Sequence, residues 1–427
     1  MSEDGPDRYS RRSALKTAGV AVVSSAIGGV MGACRREQQA IAGETGKAIQ
    51  LPRLLAASEK ESSESPAPLA PENRVGVALV GLGRLALEQI MPAFAECKLC
   101  RPMALVSGDR AKATTVARRY GLPESNVYDY KSFNRLSDNK DVQIVYILLP
   151  NSMHAEYSIR AAQAGKHVLC EKPMANSVDD CQAMIDASEK AHKSLMVAYR
   201  MQYEPYNREV IRSVRAGEIG KLKSFVASNG QAQGDPNQWR LKKSMAGGGA
   251  LPDVGIYCLN AARYVSGEEP SAVSAFLYST PNDARFREVE EQVNFTLRFP
   301  SGFLASATTS YGYHNAKFFR VLGSSGWIEL DPAFPYRGQR LRVGRKAEGR
   351  DAEQIEERTL EGKNHFALEM DHLASCVLNN KRPRTPGQEG LQDMRVIAAI
   401  YRAAESGGTV KLPEITELDA FRGPALG

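Results

Sequence analysis

Val75-Gly76-Val77-Ala78-Leu79-Val80-Gly81-Leu82-Gly83-Arg84-Leu85-Ala86 begins as an apolar run, passes through Gly81 and Gly83, and ends in residues that readily form helix. Residues 75–80 are too few for a helix, lack polar alternation and stop at a glycine. That is the pattern of a strand buried on both faces of a parallel sheet. Gly81, Gly83 and Ala86 then spell G-x-G-x-x-A. The first glycine permits a tight turn, the second lets backbone approach a pyrophosphate with no side chain between, and the alanine lets the next helix pack closely on the strand. That helix would aim its unpaired N–H groups and positive dipole end at the phosphates. Such a glycine pattern also occurs in plain strand–helix turns; its place directly after a buried strand favours a nucleotide.

From Arg74 to Tyr199, strand and helix patterns alternate. Residues 102–107, 144–149, 167–170 and 195–199 read as strands, and 110–120, 155–165 and 178–190 as helices. Alternation of this kind predicts a parallel, doubly wound α/β sheet over residues 74–199. An NAD site normally carries Asp or Glu about 20 residues past the glycine loop. Ser107 stands there instead, with Arg110 and Lys112 nearby, and a hydroxyl with two cations suits the 2′-phosphate of NADP. The other reading makes Asp109 the ribose acid and leaves the cations on the helix surface.

The chain has 427 residues, a charged fraction of 24% and a net charge of +6. This is enough for two domains of ordinary folded composition. Basic and acidic residues are interspersed, so no nucleic-acid-binding stripe is expected. Ser10-Arg11-Arg12-Ser13-Ala14-Leu15-Lys16, followed by a mildly apolar stretch over 17–33, reads as a twin-arginine signal within residues 1–42. The stretch is weaker than the roughly 20 strongly apolar residues a membrane span needs. Met31-Gly32-Ala33-Cys34 would allow a lipid on Cys34, and Ala40-Ile41-Ala42 an ordinary cleavage; both readings stay open. The expectation is folded export to the periplasm by the twin-arginine machinery, with membrane contact only through that lipid. Folded export suits a protein that loads its cofactor in the cytoplasm. Residues 43–73, rich in Pro, Ser, Ala and Glu, read as an extended arm. Cys97-x-x-Cys100 is expected in a loop as free thiols rather than as a metal or redox pair.

Two further stretches carry chemistry. Glu171-Lys172-Pro173 follows the strand at 167–170, which places Lys172 at the carboxyl end of the sheet, where such folds bind ligands. A lysine there can hold a sugar hydroxyl and lower the pKa of a neighbouring acid, although one before a turn proline can also be plain surface. Ala246-Gly247-Gly248-Gly249-Ala250-Leu251-Pro252-Asp253-Val254-Gly255-Ile256-Tyr257 combines a backbone free to approach a ligand with a proline-started helix. Asp253 and Tyr257 are then i and i+4 on one face, about 5–6 Å apart at Cβ, and can act as an acid/base pair. The plainer reading is a dipole-favouring Asp and a half-buried Tyr.

Together these residues resemble the glucose–fructose oxidoreductase branch of the Gfo/Idh/MocA oxidoreductase family. The likeness runs from the twin-arginine signal to about Glu405 and is most specific over residues 80–86, 104–108, 147–155, 167–174, 238–241, 246–260 and 366–373. It implies that Lys172, Asp253 and Tyr257 surround the substrate carbon and the nicotinamide of a tightly bound NADP. Around that cofactor it implies Gly81, Leu82, Gly83, Arg84, Leu85, Ala86, Ser107, Lys112, Tyr130, Leu149, Pro150, Asn151, His154, Glu171, Lys172, Arg200, Trp239, Arg240 and Tyr336. It also implies that the arm before Arg74 wraps over the dinucleotide or a partner subunit. Arg84-Leu85 departs from the Lys-Tyr of the branch, and the loop over 230–237 is shorter.

After Tyr199 the alternation stops. Strand patterns at 222–228, 272–278, 289–299, 304–311, 317–322 and 327–330 predict an open, mostly antiparallel sheet in an α+β domain over residues 200–427, with helices at 206–216, 367–379 and 391–404. The family resemblance implies that the open face of this sheet makes a homodimer or tetramer. No metal site is expected, since His365 and His372 lie far from any acidic cluster. The expected reaction is oxidation of an aldose at C1 to the lactone, with Tyr257 taking the hydroxyl proton. Tyrosine titrates near pH 10, so a Lys172 cation beside it is expected to favour the phenolate. A retained cofactor then requires a second sugar, ketose or aldose, to collect the hydride and leave as an alditol. The competing readings are an ordinary dehydrogenase that releases NADP(H), an NAD-dependent glycosidase of the same superfamily, which usually carries histidine near the position of Tyr257, and a non-catalytic sugar-binding protein.

Overall fold

The structure is a computed structural model that describes residues 41–42, 48–49, 69–347 and 352–415. The twin-arginine signal, Cys34 and the arm through residue 68, apart from the short Ile41–Ala42 and Ala48–Ile49 pairing, lie outside the described residues. Six parallel strands form the first sheet: β1 (Val75–Val80), β2 (Cys100–Val106), β3 (Val127–Tyr128), β4 (Ile144–Ile147), β5 (His167–Glu171) and β6 (Leu195–Ala198). Their spatial order is β3-β2-β1-β4-β5-β6, the doubly wound order that leaves a crevice between β1 and β4 at their carboxyl ends. A helical segment, wide-turned over Ala86–Ile90 and regular over Met91–Ala93, follows β1, and three longer helices connect later strands: α1 (Arg110–Tyr120), α2 (His154–Gln163) and α3 (Val178–Lys190). Local chemistry sets their ends. Asp109 accepts from the Lys112 N–H at the start of α1, Gly121 closes that helix at φ +69°, and Ser177 accepts from the Asp180 N–H at the start of α3.

The second sheet has nine strands. They are β7 (Leu222–Gly230), β8 (Ala272–Tyr278), β9 (Gln292–Arg298), β10 (Leu304–Ser310), β11 (Ala316–Gly323), β12 (Gly326–Leu330), β13 (Leu341–Lys346), β14 (Glu353–Arg358) and β15 (Val410–Lys411), ordered β14-β13-β12-β11-β7-β10-β9-β8-β15. Every pair is antiparallel except β7 with β10, which makes the sheet mixed. The strands the sequence did not reveal are short or polar. Glu353–Arg358 reads EQIEER and forms an exposed edge, where charge blocks further pairing. The inner face buries Phe225, Phe295, Phe319 and Ile328 against α4 (Pro205–Arg215) and α5 (Ile256–Ser266), and the outer face leaves Phe276, Tyr278, Val226 and Leu304 exposed.

The last two helices do not close this second sheet alone. α6 (His365–Leu378) sends Phe366, Met370 and Leu373 into the cluster that covers Leu79, Tyr146, Leu169 and Met196 on one face of the first sheet. α7 (Gly387–Ser406) packs beside α3, with Leu391 and Met394 in the cluster that holds Val80, Ile147 and Cys170 on the other face. The carboxyl-terminal helices thus complete the covering of the amino-terminal sheet, which is why its strands are apolar on both faces.

Candidate active site

The glycine loop leaves β1 at its carboxyl end. Gly81 sits at φ +98°, and a Cβ there would lie 2.7 Å from the Leu148 carbonyl oxygen, so the turn requires glycine. A Cβ on Gly83 would meet nothing within 4 Å and would project into open space at the helix start. That open cradle fits a pyrophosphate, and the residues present therefore fit a dinucleotide. Leu82 and Ala86 are buried beneath the loop, Leu85 is half-buried, and Arg84 reaches outward to pair with Glu88 at 2.8 Å.

At the ribose end, the Ser107 hydroxyl is buried and accepts from the Asp109 N–H at 3.1 Å, while the Asp109 carboxylate is committed to the Lys112 N–H at 2.9 Å. Asp109 is thus occupied as a helix cap, and Arg110 with Lys112 supplies charge at the same corner. Tyr130 packs edge-on to Tyr157 at 5.5 Å and closes over Gly108, where a Cβ would sit 3.1 Å from its ring.

Several residues expected around the cofactor hold the loops at the carboxyl edge of the first sheet to one another. His154 is buried, with Nδ1 2.9 Å from the Pro173 carbonyl and Nε2 2.8 Å from the Leu149 carbonyl, so it ties the loop after β4 to the loop after β5. Burial pushes its pKa down. Asn151 donates to the Ala246 carbonyl at 2.9 Å, and Glu171 accepts from the Tyr146 hydroxyl at 2.7 Å. Burial holds the Glu171 carboxyl above its usual range. Leu149 is buried and Pro150 half-buried at the same edge. Arg240 stacks 4.5 Å above the Trp239 ring, and Tyr336 lies over the cleft against Phe366 at 5.3 Å, with the Arg200 guanidinium 4.8 Å from its centroid.

The structure brings Lys172, Asp253 and Tyr257 together from opposite lobes. Lys172 Nζ donates to the Asp253 carbonyl at 2.6 Å and to its Oδ1 at 3.1 Å, and the Arg240 Nε lies 3.2 Å from Oδ2. The Tyr311 hydroxyl donates to the same Oδ2 at 2.7 Å. Burial by itself would raise the Asp253 carboxyl, but Lys172, Arg240 and Tyr311 outweigh it and hold it well below the usual carboxylate range. Asp253 is therefore a fixed anion. Lys172 stands beside Tyr257, its Nζ 4.9 Å from the centre of the ring, and the group hydrogen-bonded to the phenol is Arg200, which the sequence placed only around the cofactor, Nε to Oη 3.3 Å. Residues 251–255 form a wide i→i+5 turn before α5 begins.

The triple glycine also differs from expectation. A Cβ on Gly248 would collide with the Tyr401 hydroxyl, and one on Gly249 with the Glu290 carbonyl, so these glycines serve close packing within the chain. The buried Glu290 carboxylate accepts from the Gly249 N–H at 2.9 Å, the Leu251 N–H at 3.0 Å and the Tyr401 hydroxyl at 3.0 Å, and so fixes the turn that carries Asp253. Tyr311 and Glu290 escaped the sequence reading because both are distant in the chain; strand register alone delivers them. Cys97 and Cys100 are buried beside Asp371, whose carboxylate accepts from the Lys98 and Leu99 N–H groups at 2.7 and 2.9 Å. Cys97 lies in a turn, but Cys100 opens β2 rather than sitting in a loop, and burial pushes both thiols up.

Residues 75–199 match the oxidoreductase family with an NAD-binding Rossmann fold, and residues 207–329 match the GFO/IDH/MocA C-terminal domain. The chain belongs to the GFO/IDH/MocA family. Among its relatives, the D-xylose 1-dehydrogenase [NADP(+)] of Haloarcula marismortui is 33% identical over 80% of this chain and 94% of that protein. The crystal structure of an aldose–aldose oxidoreductase from Caulobacter crescentus complexed with glycerol is similar at 48% identity and a TM-score of 0.76, covering 79% of this chain and all of that one. A variant of a 3-ketoreductase from Actinomadura kijaniata, in complex with TDP-benzene and NADP, aligns at 25% identity and a TM-score of 0.69, covering 78% of this chain and 98% of that one. These family members belong to sugar chemistry, and none of the three is a glucose–fructose oxidoreductase; the likeness to that branch stays a matter of the sequence.

Proposed function

We propose that the protein is an NADP-dependent oxidoreductase of sugars that oxidises an aldose at C1 to its lactone, with the glucose–fructose oxidoreductase type of cycle in which a second sugar reoxidises a retained cofactor. The observation that carries the reading is the Lys172–Asp253 pair and Tyr257 held at the carboxyl end of the parallel sheet, beside the Gly81 to Ala86 cradle. NADP, held by that cradle and by Ser107, Arg110 and Lys112, supplies a hydride acceptor when bound.

The chain's own residues do the rest. Tyr257 takes the proton of the C1 hydroxyl, and Arg200, bonded to its oxygen, offsets the negative charge that develops there. Asp253, ionised and immobile, fixes Lys172, whose one remaining N–H can donate to the sugar hydroxyl.

A dehydrogenase that releases NADP(H) at each turnover is the second reading, favoured by likeness to the Haloarcula marismortui enzyme. Mixing the purified protein with an aldose decides between them. Under the cycle, bound nicotinamide is reduced once and a second sugar restores it without added NADP; need for added NADP at every turnover refutes the cycle. Tyr257→Phe is expected to slow hydride transfer about 10²–10⁴-fold while the cofactor stays bound, and undiminished transfer would remove Tyr257 from the role of base. We further propose twin-arginine export to the periplasm, with lipid attachment at Cys34 as the alternative to simple cleavage. Self-association through the open sheet face around Phe276 and Val226 belongs to the same proposal; a patch of that kind rarely stays uncovered.

A further inference from the structure

The inner face of the second sheet holds an amine with no anionic partner among the described residues. Lys317 stands in β11 directly opposite Asn229 of β7, and opposed residues of an antiparallel pair share a face of the sheet. Asn229 is buried, and its Nδ2 donates at 2.9 Å to the carbonyl of Val254, the residue after Asp253. That face therefore looks onto the start of the catalytic helix. Phe319, two residues along β11, confirms the direction: its ring lies 5.9 Å from Phe334, which lies 5.8 Å from Tyr257. Lys317 is half-buried, and Nζ meets only the neutral Gln231 Oε1, at 3.4 Å.

Among the described residues Lys317 forms no ion pair with a carboxylate. The anion of this region, Asp253, is already engaged by Lys172, Arg240 and Tyr311. Arg200, the nearby cation, spends its own hydrogen bonds on the Phe334 carbonyl at 2.6 Å, the Tyr257 hydroxyl and the Met201 sulfur. Burial, then the charge of Arg200, pushes the Lys317 amine below its ordinary value. A recessed cation kept without a counter-charge in a ligand cleft is what a charged ligand explains.

We propose that Lys317 binds an anionic group on the sugar, and that the preferred substrate is an aldose bearing a carboxylate, a uronate. The proposal rests on the sugar oxidoreductase reading of the site and adds the substrate class to it. A hexuronate carries its carboxylate on C5, across the ring oxygen from C1, so the group lies close to the reacting carbon, and Lys317 stands on the sheet face that meets the segment carrying Asp253, within reach of the charge of Arg200, which holds the Tyr257 phenol. A single ammonium beside the Gln231 amide suits one negative charge; a phosphate dianion is better matched by a guanidinium fork, and that of Arg200 is already occupied. Lys317 takes no part in the bond changes at C1.

Calorimetric titration of the purified protein with its bound cofactor, using glucose, glucuronate and glucose 6-phosphate, tests the assignment. Glucuronate should bind roughly tenfold more tightly than glucose, with the advantage shrinking as salt rises. Lys317→Met should abolish that advantage while changing glucose affinity far less, and Lys317→Arg should keep part of it. Equal binding of glucuronate and glucose overturns the proposal, as does a Lys317→Met variant that loses both sugars equally, which would make Lys317 a hydroxyl donor. Tighter binding of glucose 6-phosphate overturns it in favour of a phosphate site. If glucose reduces the bound nicotinamide but glucuronate has no advantage, the inference fails and the sugar oxidoreductase reading stands. If glucuronate binds tightly and no sugar reduces the nicotinamide, that reading fails and the anionic subsite stands.

Discussion

Replacing Asp253 by Asn keeps the side-chain volume and an oxygen that can accept from Tyr311, but removes the charge that faces Lys172 and Arg240. The Lys172 and Asp253 side chains are 12% and 17% exposed, whereas Arg240 is 38% exposed. Breaking a buried pair from one side costs about 3–5 kcal/mol, and an exposed contact contributes about 0–1 kcal/mol. The Lys172 contact belongs near the first class and the Arg240 contact near the second, so Asp253→Asn should lose about 3 kcal/mol. That is a fall in Tm of about 6 °C at the few degrees per kcal/mol typical of large domains. The double variant Lys172→Met/Asp253→Asn should recover much of the loss, because no unpaired cation is left buried. Scanning calorimetry of the four proteins measures this. The sign with pH follows from the depressed carboxyl: its contribution is present above the unfolded value of about 3.9 and is lost only as pH falls through the lower folded one. The Tm gap between wild type and Asp253→Asn should therefore hold from neutral pH to about pH 4 and close in stronger acid. An unchanged Tm in Asp253→Asn, or strictly additive losses in the double variant, would refute the account of Asp253 as a structural anion.

Ser107→Asp should repel the 2′-phosphate, so protein purified with its cofactor should yield NAD in place of NADP on extraction; unchanged NADP content would move 2′-phosphate recognition away from this corner. Glu369 is fully buried in α6, neither carboxylate oxygen has a hydrogen-bond partner, and burial followed by the nearby Glu171 charge raises its pKa well above the usual range. Its favourable state is thus the protonated one, stable below the unfolded value of about 4.3 and lost as pH rises toward the folded value. Glu369→Gln should raise Tm by an amount that grows as pH rises above about 4.3 toward the folded value; a gain independent of pH would contradict the burial argument. Changing Arg11 and Arg12 together to Lys should leave precursor in the cytoplasm on cell fractionation, and normal export would contradict the twin-arginine proposal.

The parallel sheet, its glycine loop and the capped helices α1 and α3 were legible in the sequence because each is a local pattern: an apolar run of strand length, a turn that demands glycine, an Asp or Ser at a helix start. Lys172, Asp253 and Tyr257 were legible as candidates for the same reason, each lying beside a breaker that ends or starts an element. Which of them touch was not. Lys172 pairs with Asp253, and Arg200 is the group that donates to the phenol, contacts that no spacing rule encodes. Tyr311 and Lys317 lie far along the chain from the residues around them and come near them through the register of β7 with β10 and β11, while Glu290, just before β9, is joined to the turn by its bonds to the Gly249 and Leu251 N–H groups. Likewise α6 and α7 read as ordinary amphipathic helices, and their role in covering the first sheet became visible only with the fold. Sequence determines what a segment prefers locally, through sterics, capping and apolar period; the charges that meet in a cleft are decided by packing between segments tens of residues apart.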